Sequence, residues 1–211
     1  MIHELRIYTF KVGGLPKYLK LVEEVGTKIR GDDYGIREGG WFTEFGPLNQ
    51  FWHIWRHESL DDWKKNRAGL AQNKAWMNDF VAQVLPLLTA QKVVFLDPKR
   101  DIMPPEKEGG IYEMRYYRCH LGKAPEFINA ITDMFPVREK YSKNVCLWQS
   151  QSPDPHEVYH LWNYDSFNDR MAARGATAKD PEWQAFLAKG PERLDVMHAI
   201  PLIPAPFSRL K

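Results

Sequence analysis

The sequence has few of the features that mark secreted, membrane-spanning or nucleic-acid-binding proteins. It holds two cysteines in 211 residues, Cys119 and Cys146, and so low a content favours free thiols in a reducing, cytoplasmic compartment. No stretch approaches the roughly 20 consecutive apolar residues of a membrane span. The N-terminus has no basic leader before an apolar segment, so we expect no secretory signal. The formal net charge is +2 without a basic cluster, which makes nucleic acid and anionic membranes poor partners.

The familiar motifs of phosphate, metal and nucleophile chemistry are missing as well. No glycine-rich loop precedes a helix, and no Walker sequence, nucleophile elbow or Cys-x-x-Cys pair occurs. His53 and His57 are four residues apart, but on a strand such residues lie roughly 13 Å apart. That separation is too long for one ion whose bonds to nitrogen measure about 2.0–2.1 Å. We therefore expect neither a metal nor a cofactor.

What the chain does contain is a tandem repeat. The segment "HIWRHESL" at residues 53–60 returns as "HLWNYDSF" at residues 160–167. With an offset of 109 and then 107 residues, identities coincide in order along the chain: Ile2/Ile111, Glu4/Glu113, Arg6/Arg115, Tyr8/Tyr117, Trp41/Trp148, His53/His160, Trp55/Trp162, Arg67/Arg174 and Trp76/Trp183. Such collinear identities predict a duplication. We place its halves at 1–98 and 109–204, with a proline-containing polar linker at 99–108.

Each half has the pattern of a β-α-β-β-α-β unit. "IHELRIYTF" alternates like a strand, and the segment after it has apolar residues at helical spacing. "GGWFTEFG" and "QFWHIWRH" indicate a hairpin around "GPLN". Ser59 and Ser166 open one predicted helix as caps, and Asp180 with Pro181 opens another. This order is the ferredoxin-like unit, α+β in class. One such unit leaves a sheet face bare, so we expect two units laid sheet to sheet.

Alternation along the strands separates a face that is kept between repeats from one that changes. Glu4, Arg6 and Tyr8 share a face of the first strand and recur unchanged, as do His53 and Trp55 of the third strand. The other face drifts: His3, Leu5 and Ile7 become Tyr112, Met114 and Tyr116. Because cores tolerate apolar exchange, we expect the drifting face to pack under the helices and the kept face to look toward the other repeat.

The kept face supplies the candidate site. An arginine could hold a carboxylate or enolate oxygen, a tyrosine could donate a hydrogen bond, and a tryptophan could stack on a flat ligand. The candidate substrate-binding residues are Arg6, Tyr8, Trp41, Trp55, Arg115, Tyr117 and Trp162. His53 and His160 are the candidate catalytic residues, as proton shuttles near neutral pH. The alternative is a structural network of ion pairs and aromatic rings that sets the register of the halves.

Two further pairs have simpler interpretations. Trp76 and Trp183 lie at helix starts, where we expect them to pack. Arg67 and Arg174 lie late in a helix, where a cation suits the C-terminus; anion binding is the alternative for them.

The residues also carry a resemblance to a known family. "IHELRIY" and "GGWFTEFGPLNQFWHIWRHESLDDWKKNRA" resemble the NIPSNAP family, and the second copy, "IYEMRYY" to "DPEW", is similar, although its hairpin lacks the "TEFGPLN" string. The resemblance implies two tandem domains with the dimeric α/β-barrel fold, here formed within one chain. The broader superfamily includes cofactor-free monooxygenases, haem-handling enzymes and isomerases.

We therefore expect an α/β-barrel protein that binds a small apolar or aromatic organic ligand between its repeats. As an enzyme it would be a cofactor-free oxygenase or isomerase. The alternative is a non-catalytic binding or protein-interaction module. Association into a homo-oligomer is compatible with either interpretation.

Overall fold

The computed structural model describes residues 1–211. The chain divides into two compact units. Unit 1 contains Met1–Phe95 and Pro204–Leu210, and unit 2 contains Leu96–Ile203 with Lys211.

The first repeat has the predicted order of strands and helices. Its elements are β1 (Ile2–Phe10), α1 (Gly14–Leu21), a π-helical turn (Val22–Gly26), α2 (Thr27–Arg30), β2 (Ile36–Thr43), β3 (Gln50–His57), α3 (Leu60–Gln72), a second π-helical turn (Trp76–Val81), α4 (Ala82–Val84), a 3₁₀ turn (Leu85–Leu87) and β4 (Leu88–Pro98). The hairpin predicted around "GPLN" is confirmed, because β2 and β3 pair in antiparallel register.

The second repeat follows the same order. Its elements are β5 (Ile111–Cys119), α5 (Ala124–Asp133), α6 (Phe135–Arg138), β6 (Lys143–Ser152), β7 (Glu157–Tyr164), α7 (Phe167–Thr177), α8 (Pro181–Ala188), a 3₁₀ turn (Gly190–Glu192) and β8 (Leu194–Pro204). The two repeats confirm the predicted fold class, and their eight strands belong to an α/β barrel. None of the helices combines the length and the apolarity that a membrane crossing demands.

Local sequence signals determine where the helices begin. The Ser59 side chain accepts a hydrogen bond from the Asp62 amide at the start of α3, and Ser166 accepts one from the Asp169 amide at the start of α7. Asp180 accepts the first free amides of α8, with Pro181 in the first turn. These side chains satisfy amide groups that have no partner inside the helix.

The face that is kept between the repeats packs beneath the helices of its own unit. The ring of Tyr8 lies 5.9 Å from that of Tyr18 in α1, and the ring of Tyr117 lies 5.8 Å from that of Phe127 in α5. The predicted assignment of the two faces is therefore wrong, and so is the placement of the candidate residues toward the other repeat. The physical reason is that the charges of this face are compensated locally, since Glu4 accepts a hydrogen bond from Arg6 at 2.7 Å, so helices can cover it.

The drifting face is buried as deeply as the kept face. Leu5, Trp41 and Ile54 are at most 1% exposed, as are Met114 and Leu161 in the second repeat. Apolar exchange between the repeats is tolerated on this face because volume and hydrophobicity, rather than particular polar contacts, hold it together.

Candidate functional site

A cavity lies between the sheet and the helices in each unit. In unit 2 its volume is about 550 Å³, and Tyr117, His160 and Trp162 lie on its sheet side. In unit 1 its volume is about 260 Å³, and Tyr8, His53 and Trp55 occupy the equivalent positions. Each cavity is thus built within one unit from the residues that the duplication kept.

Strand register brings these residues together. Across β1 and β3, Arg6 is paired with His53; across β5 and β7, Arg115 is paired with His160. Residues two apart on a strand share a face, so Tyr8 lies next to His53, with ring centroids 4.8 Å apart. The period of the strand therefore accounts for the sheet side of both cavities.

Hydrogen bonds define the tautomer of both cavity histidines. The indole Nε1–H of Trp55 donates to Nδ1 of His53 at 2.9 Å, and that of Trp162 donates to Nδ1 of His160 at 2.7 Å. Because indole nitrogen is only a donor, Nδ1 must be the acceptor, and the proton of the neutral ring is on Nε2. In both rings Nε2 is buried without a hydrogen-bond partner in the protein.

Both histidines are neutral at physiological pH. Burial lowers the pKa of each imidazole well below its ordinary value, and nearby guanidinium groups lower it further, Arg6 and Arg30 for His53, Arg115 and Arg138 for His160. With Nδ1 engaged by a donor and Nε2 already protonated, neither nitrogen is free to accept a proton. The geometry suits a hydrogen-bond donor rather than the predicted proton shuttle.

A second arginine in each cavity was missed by the sequence analysis. The guanidinium carbon of Arg30 lies 3.3 Å from the ring centroid of Trp55, and that of Arg138 lies 4.7 Å from that of Trp162. These arginines end α2 and α6, and they are 108 positions apart, between the two repeat offsets of 109 and 107. A search for identities at every intermediate offset would have found them.

Two predicted substrate-binding arginines are tied to carboxylates. Arg6 is held by Glu4 and donates to the Tyr8 hydroxyl at 3.0 Å. Arg6 is not among the residues that line the unit 1 cavity. Arg115 does line the unit 2 cavity, but it donates to the Tyr117 hydroxyl and lies 3.5 Å from Glu113. Glu113 is also bound by Arg170 at 2.5 Å.

Trp41 does not join the other predicted site residues. It is paired with Trp52 between β2 and β3, on the face opposite His53, and it is fully buried. Its ring covers Gly39, where a methyl group would lie only 2.2 Å from Cη2 of the indole. Trp41 therefore packs against its own strand and lines neither cavity.

The remaining walls differ between the two cavities. In unit 2 they are mostly apolar, with Phe127, Ile131, Trp183 and Phe186 from the helices. In unit 1 four arginines line a cavity of about half the volume: Arg30, Arg37, Arg67 and Arg209. The predicted pair Trp76 and Trp183 lines the cavities at equivalent positions, and Arg67 and Arg174 do so as well.

The fold places the chain among the α/β-barrel proteins, and a family profile identifies its family. The NIPSNAP family profile matches residues 3–101 and again residues 112–209, so the chain is a member of the NIPSNAP family with two tandem domains. It is 29% identical to a NipSnap homolog from Dictyostelium discoideum, over 96% of this chain and 87% of that protein. It is 26% identical to human NipSnap homolog 3A, over 100% of this chain and 86% of that protein.

Solved structures share the fold. A candidate monooxygenase from Fusobacterium nucleatum superposes with a TM-score of 0.71 at 11% identity, over 100% of this chain and 97% of its own. One from Lactobacillus acidophilus gives 0.67 at 15% identity, over 97% of this chain and 93% of its own. An anthrone oxidase-like protein gives 0.67 at 11% identity, over 96% and 90%. At these identities the likeness concerns the fold alone.

Proposed function

We propose that the unit 2 cavity binds a small, flat organic molecule that carries an oxygen acceptor, and that His160 donates a hydrogen bond to that oxygen. The observation that supports this most directly is the Nε2–H of His160, which is buried at the cavity wall without an acceptor in the protein. A buried donor left unpaired costs about 1–3 kcal/mol. A ligand oxygen would remove that cost.

The size and walls of the cavity support a flat, largely apolar ligand. A volume of about 550 Å³ falls within the roughly 300–1,000 Å³ of small-molecule sites. Besides His160, five aromatic side chains line it: Tyr117, Phe127, Trp162, Trp183 and Phe186. Aromatic faces and edges stabilise a planar ring system through stacked and edge-to-face contacts.

The charges at the cavity favour an anionic or enolic oxygen. Arg138 and Arg174 line it, and no carboxylate lies within salt-bridge distance of either. Arg138 is buried and lies over the Trp162 ring. A carboxylate, phenolate or enolate would meet both this positive potential and the histidine donor.

Binding can be tested with three probes of one shape. 2-Naphthoate and 2-naphthol carry the oxygen, whereas 2-methylnaphthalene does not. Quenching of tryptophan fluorescence should report binding, because Trp162 and Trp183 are in the wall. We expect 2-naphthoate to bind at least about tenfold more tightly than 2-methylnaphthalene, since a hydrogen bond to a charged group contributes about 1.5–3 kcal/mol. The neutral 2-naphthol should lie between them, since a hydrogen bond between neutral groups contributes about 0.5–1.5 kcal/mol.

Matched variants place the site. His160→Leu should weaken 2-naphthoate binding by at least about tenfold, while His53→Leu, the equivalent change in unit 1, should leave it unchanged. Circular dichroism checks that both variants fold. Equal affinity of His160→Leu and the parent protein, or equal binding of 2-methylnaphthalene, would refute the proposal.

A second candidate function is cofactor-free oxygenation or isomerisation of an enolisable substrate at the same site. It is favoured by the neutral imidazole donor beside a guanidinium group, an arrangement that stabilises an enolate oxygen. Because neither nitrogen of His160 can accept a proton, the substrate must enolise readily by itself. Anthrone is such a probe, and one fold neighbour is named an anthrone oxidase-like protein.

Oxygen uptake tests this enzyme function. Anthrone and O₂ give anthraquinone and water, so one O₂ should be consumed per anthrone oxidised. We expect a rate above the uncatalysed one that falls in His160→Leu. If the protein binds the naphthalene probes but adds nothing to the rate, it is a binding module rather than an oxygenase of such ketones.

The cytoplasmic location is part of the same proposal. It is supported by Cys119 and Cys146, which are both buried and form no disulfide, as is usual in reducing compartments.

A further inference from the structure

We infer that the unit 1 cavity is a second binding site, of different chemistry, for a small dianion such as phosphate, a phosphate monoester or a short dicarboxylate. This inference concerns other residues than those of the unit 2 site, so each can fail without the other.

Three of the four arginines around this cavity have no acidic partner. Arg209 is paired with Asp32 at 2.5 Å. No carboxylate lies within salt-bridge distance of Arg30, Arg37 or Arg67, although all three line the cavity. The wall therefore carries three positive charges that no carboxylate of the protein pairs with, around a volume of only about 260 Å³.

Arg30 is the most unusual of the three. Arg30 is only 4% exposed, and its guanidinium group is stacked on the ring of Trp55. Nη2 donates to the carbonyl of Tyr34 at 2.9 Å, but Nε–H is buried without an acceptor. Buried charges are normally paired, because removing an ion from water costs several kcal/mol. An anion in the cavity would supply the missing partner.

A second buried donor lines the same cavity. The Nε2–H of His53, a residue that is 4% exposed, also has no acceptor in the protein. Two unpaired donors of different residues, a guanidinium and a neutral imidazole, match an acceptor with several oxygens. A guanidinium accepts no hydrogen bond, and the one acceptor nitrogen of His53, Nδ1, is already occupied by the Trp55 indole.

The second repeat provides an internal comparison. There Arg138, the equivalent of Arg30, donates to the Ser142 hydroxyl at 2.5 Å and to the Tyr164 hydroxyl at 3.3 Å, and none of its nitrogens is left buried without a partner. The buried Nε–H without an acceptor is therefore a feature of unit 1 rather than of the repeat.

The size of the cavity selects the class of anion. Its volume of about 260 Å³ is below the roughly 300–1,000 Å³ typical of sites for drug-sized molecules, so the ligand is compact. Three arginines without a salt bridge favour two negative charges on the ligand over one, since each further charge adds Coulomb attraction. The arginine fork also matches carboxylate and phosphate oxygens.

The test is titration calorimetry of the full chain with inorganic phosphate, malonate and acetate at constant ionic strength. We expect phosphate and malonate to bind and to compete with each other, and acetate to bind at least about tenfold more weakly. Raising the salt concentration should weaken phosphate binding, because screening reduces attraction between charges. Absence of binding by both dianions at millimolar concentration, or equal affinity for acetate and malonate, overturns the inference.

Variants assign the binding to unit 1. Arg67→Gln should weaken phosphate binding by about tenfold, the equivalent of roughly 1.4 kcal/mol. Arg174→Gln, the matched change in unit 2, should leave it unaltered. Arg30→Gln should abolish binding; if that variant does not fold, Arg67→Gln remains decisive because its side chain is only half-buried and lies on α3. Equal weakening by Arg67→Gln and Arg174→Gln would show that the anion binds elsewhere.

Discussion

Acidification from about pH 7.5 to 5.5 should remove a large part of the stability of this protein. Three histidines are buried in forms that resist protonation. Burial, with the nearby Arg56, lowers the pKa of His3 to about 4. Burial and neighbouring arginines lower the pKa of His53 and His160 well below the ordinary value. In the unfolded chain each ring regains a pKa near 6.5.

The sign and size of the effect follow from proton linkage. Below pH 6.5 the unfolded chain takes up protons that the folded chain does not, so stability is fully present at higher pH and is lost as the pH falls. Between about pH 7.5 and 5.5 an imidazole of ordinary pKa goes from roughly one-tenth to nine-tenths protonated, which stabilises the unfolded state by about 1.4 kcal/mol per ring. Three rings give about 4 kcal/mol, a large share of the roughly 5–15 kcal/mol of a typical domain.

The assay is urea unfolding at both pH values, followed by tryptophan fluorescence, with the free energy of unfolding extrapolated to water. The buried carboxylates do not obscure it. Against the effect of burial, hydrogen bonds and nearby arginines lower the pKa of Glu4 and Glu113, so their contribution is lost only at more acid pH. His160→Gln should reduce the loss by about 1.4 kcal/mol. A loss below about 1 kcal/mol in the parent protein, or ordinary titration of these rings in the folded state by NMR, would refute the reasoning.

Two local predictions can be checked by the same unfolding measurement. Gly39→Ala should destabilise the protein by about 1–3 kcal/mol through overpacking, because the new methyl group would lie 2.2 Å from the Trp41 ring. The control is Gly175→Ala in α7, where a methyl group would have nothing within 4 Å; this change should stabilise the protein by roughly 0.5–1 kcal/mol. Equal effects of the two substitutions would contradict the packing argument. Ser166→Ala should cost about 1 kcal/mol by removing the acceptor for the Asp169 amide at the start of α7, and an unchanged midpoint would show that water replaces the cap.

The architecture of each repeat was predictable because its signals are local. The alternation of β1 and β5, the caps at Ser59 and Ser166, and the hairpin of β2 and β3 each depend on residues within a few positions of one another. The duplication added a comparison that a single domain lacks, since it separated kept residues from drifting ones and so identified Tyr117, His160 and Trp162 as members of one group.

The chemical role of the two cavity histidines could not be predicted from the sequence. Spacing in the sequence places His160 and Trp162 on one face of a strand, but it does not reveal that the indole N–H reaches Nδ1 of the imidazole. That hydrogen bond changes the expected chemistry from proton transfer to hydrogen-bond donation. Likewise, Arg138 enters the cavity from the end of α6 only because that helix packs against the sheet.

The sequence by itself determined the repeat, the order of strands and helices, and the division of each strand into two faces, because these depend on periodicity and on contacts between near neighbours. Only the tertiary structure decided which face the helices cover. Period-two alternation is the same whichever side is covered, and the pairing of Glu4 with Arg6 lets a charged face lie beneath helices. The tertiary structure also decided the different volumes and charges of the two cavities, because side chains distant in sequence, such as Arg37 and Arg67, come to line one cavity only after the chain has packed.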